Sequence, residues 1–445
     1  MKQILKSLLS VVLVLLVVIL GFIVYGNYNE TKRQEAELAE EQATPTPEPT
    51  PEPTPTPEPD GFTEPANAVN INLAVCGDVV CHTGLNNEAK TADGYDYTNI
   101  FAGASNYAQN ADYAICTIET TFPETSEYTG YPMFKSPPQL AASLKAIGFD
   151  LINTASNHSM DGWKSGLDKT IDVLEVNGLD HIGTYRSQEE RDATNGIVVK
   201  DINGISVAFL SYTYGTNGIP LTGFDYAVNL FFNDYMTTLS DVNYERLSKD
   251  MEAARALDTD IILVQMHWGL EYEIAAKEYQ TELADFLFKE GADIIIGGHP
   301  HVPEPMELRH VVDNEGNEKT GFIVYSMGNF VSCQEDRYTD LTGALNIQIQ
   351  KDLDTGKTYL RNISYAPLIM MDLNDYGVSA SYRYMLWDLH SAIDSYKNGN
   401  NLGVINDTIF ASLEQGLTDI HSVFGEQFDY VNGGVDAQVW AEENK

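Results

Sequence analysis

From residue 68 onward, short apolar runs alternate with amphipathic segments, and the two spacings separate strands from helices. Runs at 71–76, 113–117, 150–153, 261–266, 294–296 and 322–325 are nearly continuous in apolar residues, the form of strands covered on both faces. Between them the period lengthens. Ser136 and Pro137 open a helix that runs to Ile147 and stops at Gly148, with start and stop residues where helices place them. Another carries Leu167, Ile171 and Leu174 on one face and ends at Gly178, and a third carries Leu283, Phe286 and Leu287 and ends at Gly291. Two segments differ. Residues 197–212 place β-rich runs on either side of Asn203-Gly204, a two-residue hairpin signal. Residues 343–364 predict a second hairpin, turning at 354–356. Antiparallel strands among αβ units predict a layered α/β sandwich over residues 68–370. Residues 371–445 read as a helical, tyrosine-rich extension.

The residues that follow each apolar run carry the chemistry. Gly77-Asp78 follows the first, Glu119 the second, Ser156-Asn157-His158 the third, His267-Trp268-Gly269 the fourth and Gly297-Gly298-His299-Pro300-His301 the fifth. Ligands of α/β sheets bind beyond the carboxyl ends of the strands, so these side chains are expected on one rim. Carboxylate, amide and imidazole donors in such a group suit zinc, manganese or iron. Four of the nine histidines fall in these five places. Singly, each has a plainer reading. Asp78 suits a turn, Glu119 a surface carboxylate, and Asn157 and His158 turn or packing chemistry. Together they predict a metal site. Asp161 begins a helix and reads as a cap first and as a partner that orients a neighbouring side chain second.

Before residue 68 the pattern changes twice. Residues 8–25 are apolar apart from Ser10 and Gly21, close to the roughly 20 residues that span a bilayer as a helix. No small-x-small cleavage site follows, so an uncleaved anchor is expected over residues 1–28. Lys2 and Lys6 precede the span, which places the N-terminus in the cytoplasm and the bulk of the chain outside the cell membrane. Residues 29–67 form a linker whose stretch 43–60, ATPTPEPTPEPTPTPEPD, predicts an extended proline-rich stalk. Cys76, Cys81, Cys116 and Cys333 show no metal-ribbon spacing.

Charge narrows the partners. The chain has 65 Asp and Glu against 26 Lys and Arg, a net of -39. Nine of those acids and four of those bases lie in residues 1–60, which leaves -34 on the remainder. A surface that acidic repels phosphate backbones and excludes general nucleic-acid binding.

The stretches GDVVCH (77–82), TASNHSMDGWKSGLDKTIDVLEVNGLDHIGT (154–184), MHWGLEYE (266–273), GADIIIGGHPHVPEPME (291–307) and YSMGNF (325–330) resemble the bacterial CapA proteins of poly-γ-glutamate capsule synthesis, a divergent branch of the calcineurin-like metallophosphoesterases. The resemblance covers about residues 70–370. It implies a four-layer α/β/β/α sandwich with one or two divalent metal ions (manganese, zinc or iron) at the edge of two sheets. By motif, Asp78 and His301 take the first metal and Glu119 the bridging position. Asn157, His267 and His299 take the second, and His158 stands as an acid near a leaving group. Two departures are visible. The superfamily opens with Asp-x-His, yet Val80 stands two places after Asp78 and His82 four places after it. Its Gly-Asp-x-x-Asp block is replaced by Thr117-Ile118-Glu119. The implied function is an anchored protein of capsule synthesis or export that meets an anionic polymer such as poly-γ-glutamate, together with other membrane proteins of that process. A surface phosphoesterase is the alternative. A polyanion and so acidic a domain repel, so either divalent cations or a local basic patch (Lys135, Lys164, Arg186) must mediate contact.

Overall fold

Alternate residues of each apolar strand face opposite ways, and that alternation stacks the layers of this protein. The computed structural model describes residues 62–444. The first sheet is ordered β14-β13-β12-β1-β2-β3-β4. Its strands are β1 (Ala68–Val79), β2 (Tyr113–Ile118), β3 (Leu151–Asn153), β4 (Asp180–Ile182), β12 (Leu341–Asp352), β13 (Thr358–Asp372) and β14 (Tyr384–Asp388). β1 to β4 run parallel, while β12, β13 and β14 join antiparallel. The short strands β11 (Asn329–Val331) and β15 (Val435–Asp436) pair with β1 and β13. The second sheet is ordered β5-β6-β7-β8-β10-β9, built from β5 (Val198–Ile202), β6 (Ile205–Thr213), β7 (Ile261–His267), β8 (Ile294–Gly298), β9 (Pro303–Val312) and β10 (Glu318–Met327).

Ile71, Leu73, Val75, Ile115 and Leu151 of the first sheet share one buried cluster with Val207, Phe209, Leu263, Ile294 and Phe322 of the second. The sheets therefore face one another. The opposite residues point outward. Ala74, Cys76, Ala114, Cys116 and Ile152 pack under Leu140 and Leu144 of the Gln139–Ala146 helix and Leu174 of the Trp163–Val176 helix. Ala208, Leu210, Val264 and Ile295 pack under Leu247 and Met251 of the Tyr244–Arg255 helix and Leu283 and Leu287 of the Glu278–Lys289 helix. This is the α/β/β/α order, and all six expected strands are in it. The hairpin at Asn203-Gly204 is present, with both residues at positive φ (52° and 95°), as a two-residue turn requires. All four cysteines are free, and three are buried in core positions.

One expectation changes. The segment after 366 is not helical throughout: β13 crosses position 370, and β14 pairs with it in the register Leu368↔Asp388 to Asp372↔Tyr384. Helices follow at Leu389–Lys397, Asp407–Phe424 and Ala437–Glu443, and Ile409, Leu413 and Phe424 join the cluster between the sheets. The described residues accordingly lie in one compact unit. The expected membrane span at 8–25 and the proline-rich stalk lie outside the described residues. Among the described residues no helix is long and apolar enough to cross a membrane.

Candidate metal centre

The carboxyl ends of β1, β2, β3, β7 and β8 meet at one edge of the two sheets. Two glycines allow this approach. A Cβ on Gly297 would stand 1.7 Å from the Tyr325 carbonyl oxygen, and one on Gly298 would stand 2.7 Å from Asp78 Oδ1. The turn beyond them holds His299 at φ 98° and His301 at φ 62°, a conformation that side chains other than glycine adopt at a cost and that clusters at functional sites. The His299 N–H donates to Asp78 Oδ2 at 2.8 Å, which ties the two sheets together at the site.

Glu119 is the centre of the group. It is fully buried, and neither carboxylate oxygen has a hydrogen-bond partner. Oε1 lies 3.6 Å from His267 Nε2 and 4.0 Å from His301 Nδ1, and Oε2 lies 4.0 Å from His158 Nε2. Asp78, Glu119 and His267 offer ligand atoms that all lie within 4.8 Å of one another. His267 Nε2 reaches Asn157 Oδ1 at 2.8 Å, and the rings of His267 and His299 are 5.0 Å apart. His267 Nδ1 and His299 Nδ1 are also buried without partners. All six residues expected as metal ligands (Asp78, Glu119, Asn157, His267, His299, His301) are thus in one place, together with His158.

Burial pushes the Asp78 carboxyl up to about 6. Burial, and then the charge of Asp78, lifts Glu119 well above the usual carboxylate range. Burial also holds His267 and His299 well below the usual imidazole range, and lowers His301 to about 4. Two carboxylates that resist ionising, beside imidazoles that resist protonation, form a donor set short of positive charge. A buried polar atom without a partner costs on the order of 1–3 kcal/mol, and both oxygens of Glu119 are such atoms in the middle of the group. A divalent cation satisfies them together, so the residues fit the implied metal.

His158 differs from the ligands. Its Nδ1 pairs with Asp161 Oδ2 at 2.7 Å, which leaves Nε2 on the side of Glu119. Asp161 also accepts from the Phe134 N–H. The reading of Asp161 first as a helix cap is corrected: the following helix is capped by Gly162 without a side-chain bond, and Asp161 holds His158 instead. His82 is held by backbone groups and by Phe134. Its Nδ1 lies 3.1 Å from the Val80 carbonyl and accepts from the Cys333 N–H, and its ring meets Phe134 edge-on. Phe134 also meets His158 edge-on, so its ring stands against both histidines. The basic patch is weak. Lys164 pairs with Asp168, and Arg186 with Asp172, Glu175 and Glu190.

Three residues of the site had no role assigned from sequence. The Tyr214 ring packs against His299 at 4.6 Å and stacks on His267 at 6.4 Å. Asn217 accepts from Asn157 Nδ2 at 3.1 Å and stands 3.3 Å from His158 Nε2. Asn329, paired with Asp78 across β1 and β11, places Oδ1 3.0 Å from His301 Nδ1. Tyr214 follows directly on β6, so the strand-end rule that found the others also applied to it.

Behind the His299-Pro300-His301 turn, Gln280 accepts from the Lys277 N–H at 2.7 Å and donates to Glu304 Oε2 at 2.9 Å. Glu304 is fully buried, its Oε1 has no partner, and burial raises its carboxyl to about 7. A carboxyl raised in the folded state stabilises below its unfolded pKa, near 4.5, and loses that contribution as pH rises through 7. Glu304→Gln is therefore expected to stabilise the protein at pH 8 by on the order of 2 kcal/mol and to leave it unchanged at pH 4.5, read by urea unfolding of parent and variant side by side. Equal stability at both pH values would overturn the assignment.

Donors of this kind at the edge of two facing sheets define an α/β/β/α protein with a candidate metal centre. The model of the family described as bacterial capsule synthesis protein PGA_cap matches residues 72–334, a span that holds every residue of the site, and the chain belongs to that family. It is 28% identical over 269 residues to a capsule biosynthesis protein CapA of Bacillus anthracis, covering 59% of this chain and 60% of that one. It is 31% identical over 191 residues to the PGA biosynthesis protein CapA of Bacillus subtilis, covering 43% of this chain and 44% of that one. The chain thus spans less than two thirds of the length of either relative. Among solved structures it is similar to a calcineurin-like phosphoesterase, YfkN from Bacillus subtilis, with TM-score 0.40, 14% identity, and coverage of 74% of this chain and 98% of that one.

Proposed function

We propose that this protein acts in the synthesis or export of an anionic capsule polymer of the poly-γ-glutamate class, and that divalent cations at the Asp78–Glu119–His267 centre mediate its contact with the polymer. The observation that carries the proposal is Glu119. A buried carboxylate with both oxygens unpartnered, facing three imidazoles, is a cation site in a chain that is otherwise strongly acidic. Family membership and the names of the CapA relatives supply the polymer. When bound, the metal would neutralise carboxylate or phosphoryl oxygens of a ligand. Asp78, Glu119, Asn157, His267, His299 and His301 would hold it. Tyr214 and Asn217 pack against these ligands and fix their rings and amides. The proposal places the chain at the cell membrane, with residues 8–25 as a single span and the two-sheet domain outside, beside the other membrane proteins of capsule synthesis. Purified protein is expected to retain poly-γ-glutamate with manganese present and to release it on chelation. Retention that ignores chelator would sink the metal-mediated reading.

One observation favours a second reading. The His158–Asp161 pair beside Glu119 is the arrangement of a positioned proton donor. Asp161 fixes the ring through Nδ1, and Nε2 can give a proton to a leaving group. This is what a phosphoesterase acting on phosphate esters or wall-polymer phosphodiesters requires.

A further inference from the structure

We infer that the protein carries a second divalent-cation site, built from His390, His421 and Asp429. It shares no residue with the first. His390 lies in the first turn of the Leu389–Lys397 helix, whose N-cap is Asp388, and His421 lies in the last turn of the Asp407–Phe424 helix. Asp429 lies in the turn just beyond. Their ligand atoms are all within 4.8 Å of one another.

Two features separate this cluster from an ordinary buried hydrogen bond. Asp429 is fully buried, yet among the described residues no Lys or Arg pairs with it. Its partners are the two imidazoles and the Val431 N–H on Oδ1. Both imidazoles also aim Nε2 at the same oxygen, Oδ2, at 2.7 and 2.6 Å. A carboxylate oxygen can accept from both imidazoles, and their meeting on the same oxygen rather than one on each marks a point of convergence. The rings keep 17% and 22% of their side-chain surface exposed, so an ion can enter and each Nδ1 can carry the displaced proton in contact with solvent.

The distances agree with exchange of protons for an ion. At 2.7 and 2.6 Å each imidazole is hydrogen-bonded to Oδ2. A tetrahedral zinc with bonds of about 2.0–2.1 Å holds its donors about 3.3 Å apart, so each Nε2–Oδ2 separation would widen by about 0.6 Å as the ion takes the place of the Nε2 protons. Two imidazoles and one carboxylate leave a fourth position for solvent or a ligand, the donor pattern of an open zinc site. Imidazole donors select zinc or cobalt over magnesium and calcium. Tyr430 packs edge-on against His390, 5.6 Å between ring centroids, and also lines a cavity of about 760 Å³ with Tyr107, Trp387 and Asp388, so a small polar ligand has room beside the site.

The test is zinc content of the full-length protein after chelation and reloading. Asp78→Ala/His299→Ala, which disables the first centre, is expected to retain one equivalent. Adding His390→Gln or His421→Gln, each able to keep a hydrogen bond to Asp429, is expected to remove it. No zinc in the double variant, or an equivalent that survives both glutamine substitutions, overturns the proposal. Crystals of the parent protein soaked in zinc give an independent reading. Anomalous scattering at the point between the three side chains supports the site, and its absence at saturating zinc overturns it. The first centre could fail to bind metal without changing this outcome.

Discussion

Glu119→Gln is expected to abolish cation uptake at the first centre and, in the same protein, to stabilise the metal-free fold. The opposite signs follow from one environment. Glu119 stands nearest the middle of the group, 3.6 to 4.0 Å from His267, His301 and His158, and would hold the cation together with His267 and His301. Losing the interactions that merely orient metal ligands costs 10–100-fold in affinity, so removing the central carboxylate should cost at least about 100-fold. Without a cation, Glu119 is buried beside Asp78, and both burial and that neighbouring charge disfavour its ionised form. Its carboxyl is raised above its ordinary value near 4.5, so its contribution to stability is present below that pH and lost as pH climbs. A neutral amide of the same shape escapes this loss. The gain at neutral pH is expected to be on the order of 1–3 kcal/mol, shrinking to nothing near pH 4.5. Calorimetric titration with manganese and urea unfolding of chelator-treated protein at pH 4.5 and 7.5 read the two effects separately. A metal-free variant less stable than the parent at pH 7.5 would mean that the surrounding imidazoles are already protonated and neutralise Glu119. The burial that lowers His267, His299 and His301 argues the other way.

The second large effect separates the two functional readings. With manganese and a generic aryl phosphate, His158→Ala is expected to lower kcat by about 10²–10⁴-fold, the span of positioned acid–base catalysis. Asp161→Asn should lower it less, since Nδ1 keeps a partner but loses the carboxylate that stabilises a charged ring. Metal content should stay at the parental level in both, because His158 reaches Glu119 only at 4.0 Å and the Asp161 carboxylate is engaged, among the described residues, with His158 and the Phe134 N–H. A folded, fully loaded parent without turnover on any phosphate ester would remove the phosphoesterase reading and leave polymer contact alone. Turnover that survives both substitutions would show that the proton comes from elsewhere.

Strands whose two faces are both covered are apolar along most of their length, so β2, β7 and β8 were legible as nearly continuous runs. The point where each run stops marks a carboxyl end. That is why Asp78, Glu119, Asn157, His267 and His299 could be named from sequence together. The hairpin at Asn203-Gly204 was legible for a related reason, since few residue pairs accept two consecutive positive φ values. β14 was not. Tyr384–Asp388 carries tyrosine and tryptophan between helical stretches, and only its pairing with β13 makes it a strand.

The chain by itself therefore determined the layered α/β class, the strand ends and the types of side chain delivered there, because periodicity and turn chemistry are local properties. Tertiary structure decided which of those side chains meet. Glu119 and His267 are 148 positions apart and belong to different sheets, so nothing short of the packing of one sheet on the other could bring Oε1 to 3.6 Å from Nε2. The same packing set His82 against Phe134 and gave Asp161 to His158 rather than to a helix end. It also carried His390, His421 and Asp429, from two helices and the turn after them, to a single oxygen. Such convergence depends on the relative placement of whole elements, and that placement is set by a shared core to which every layer contributes.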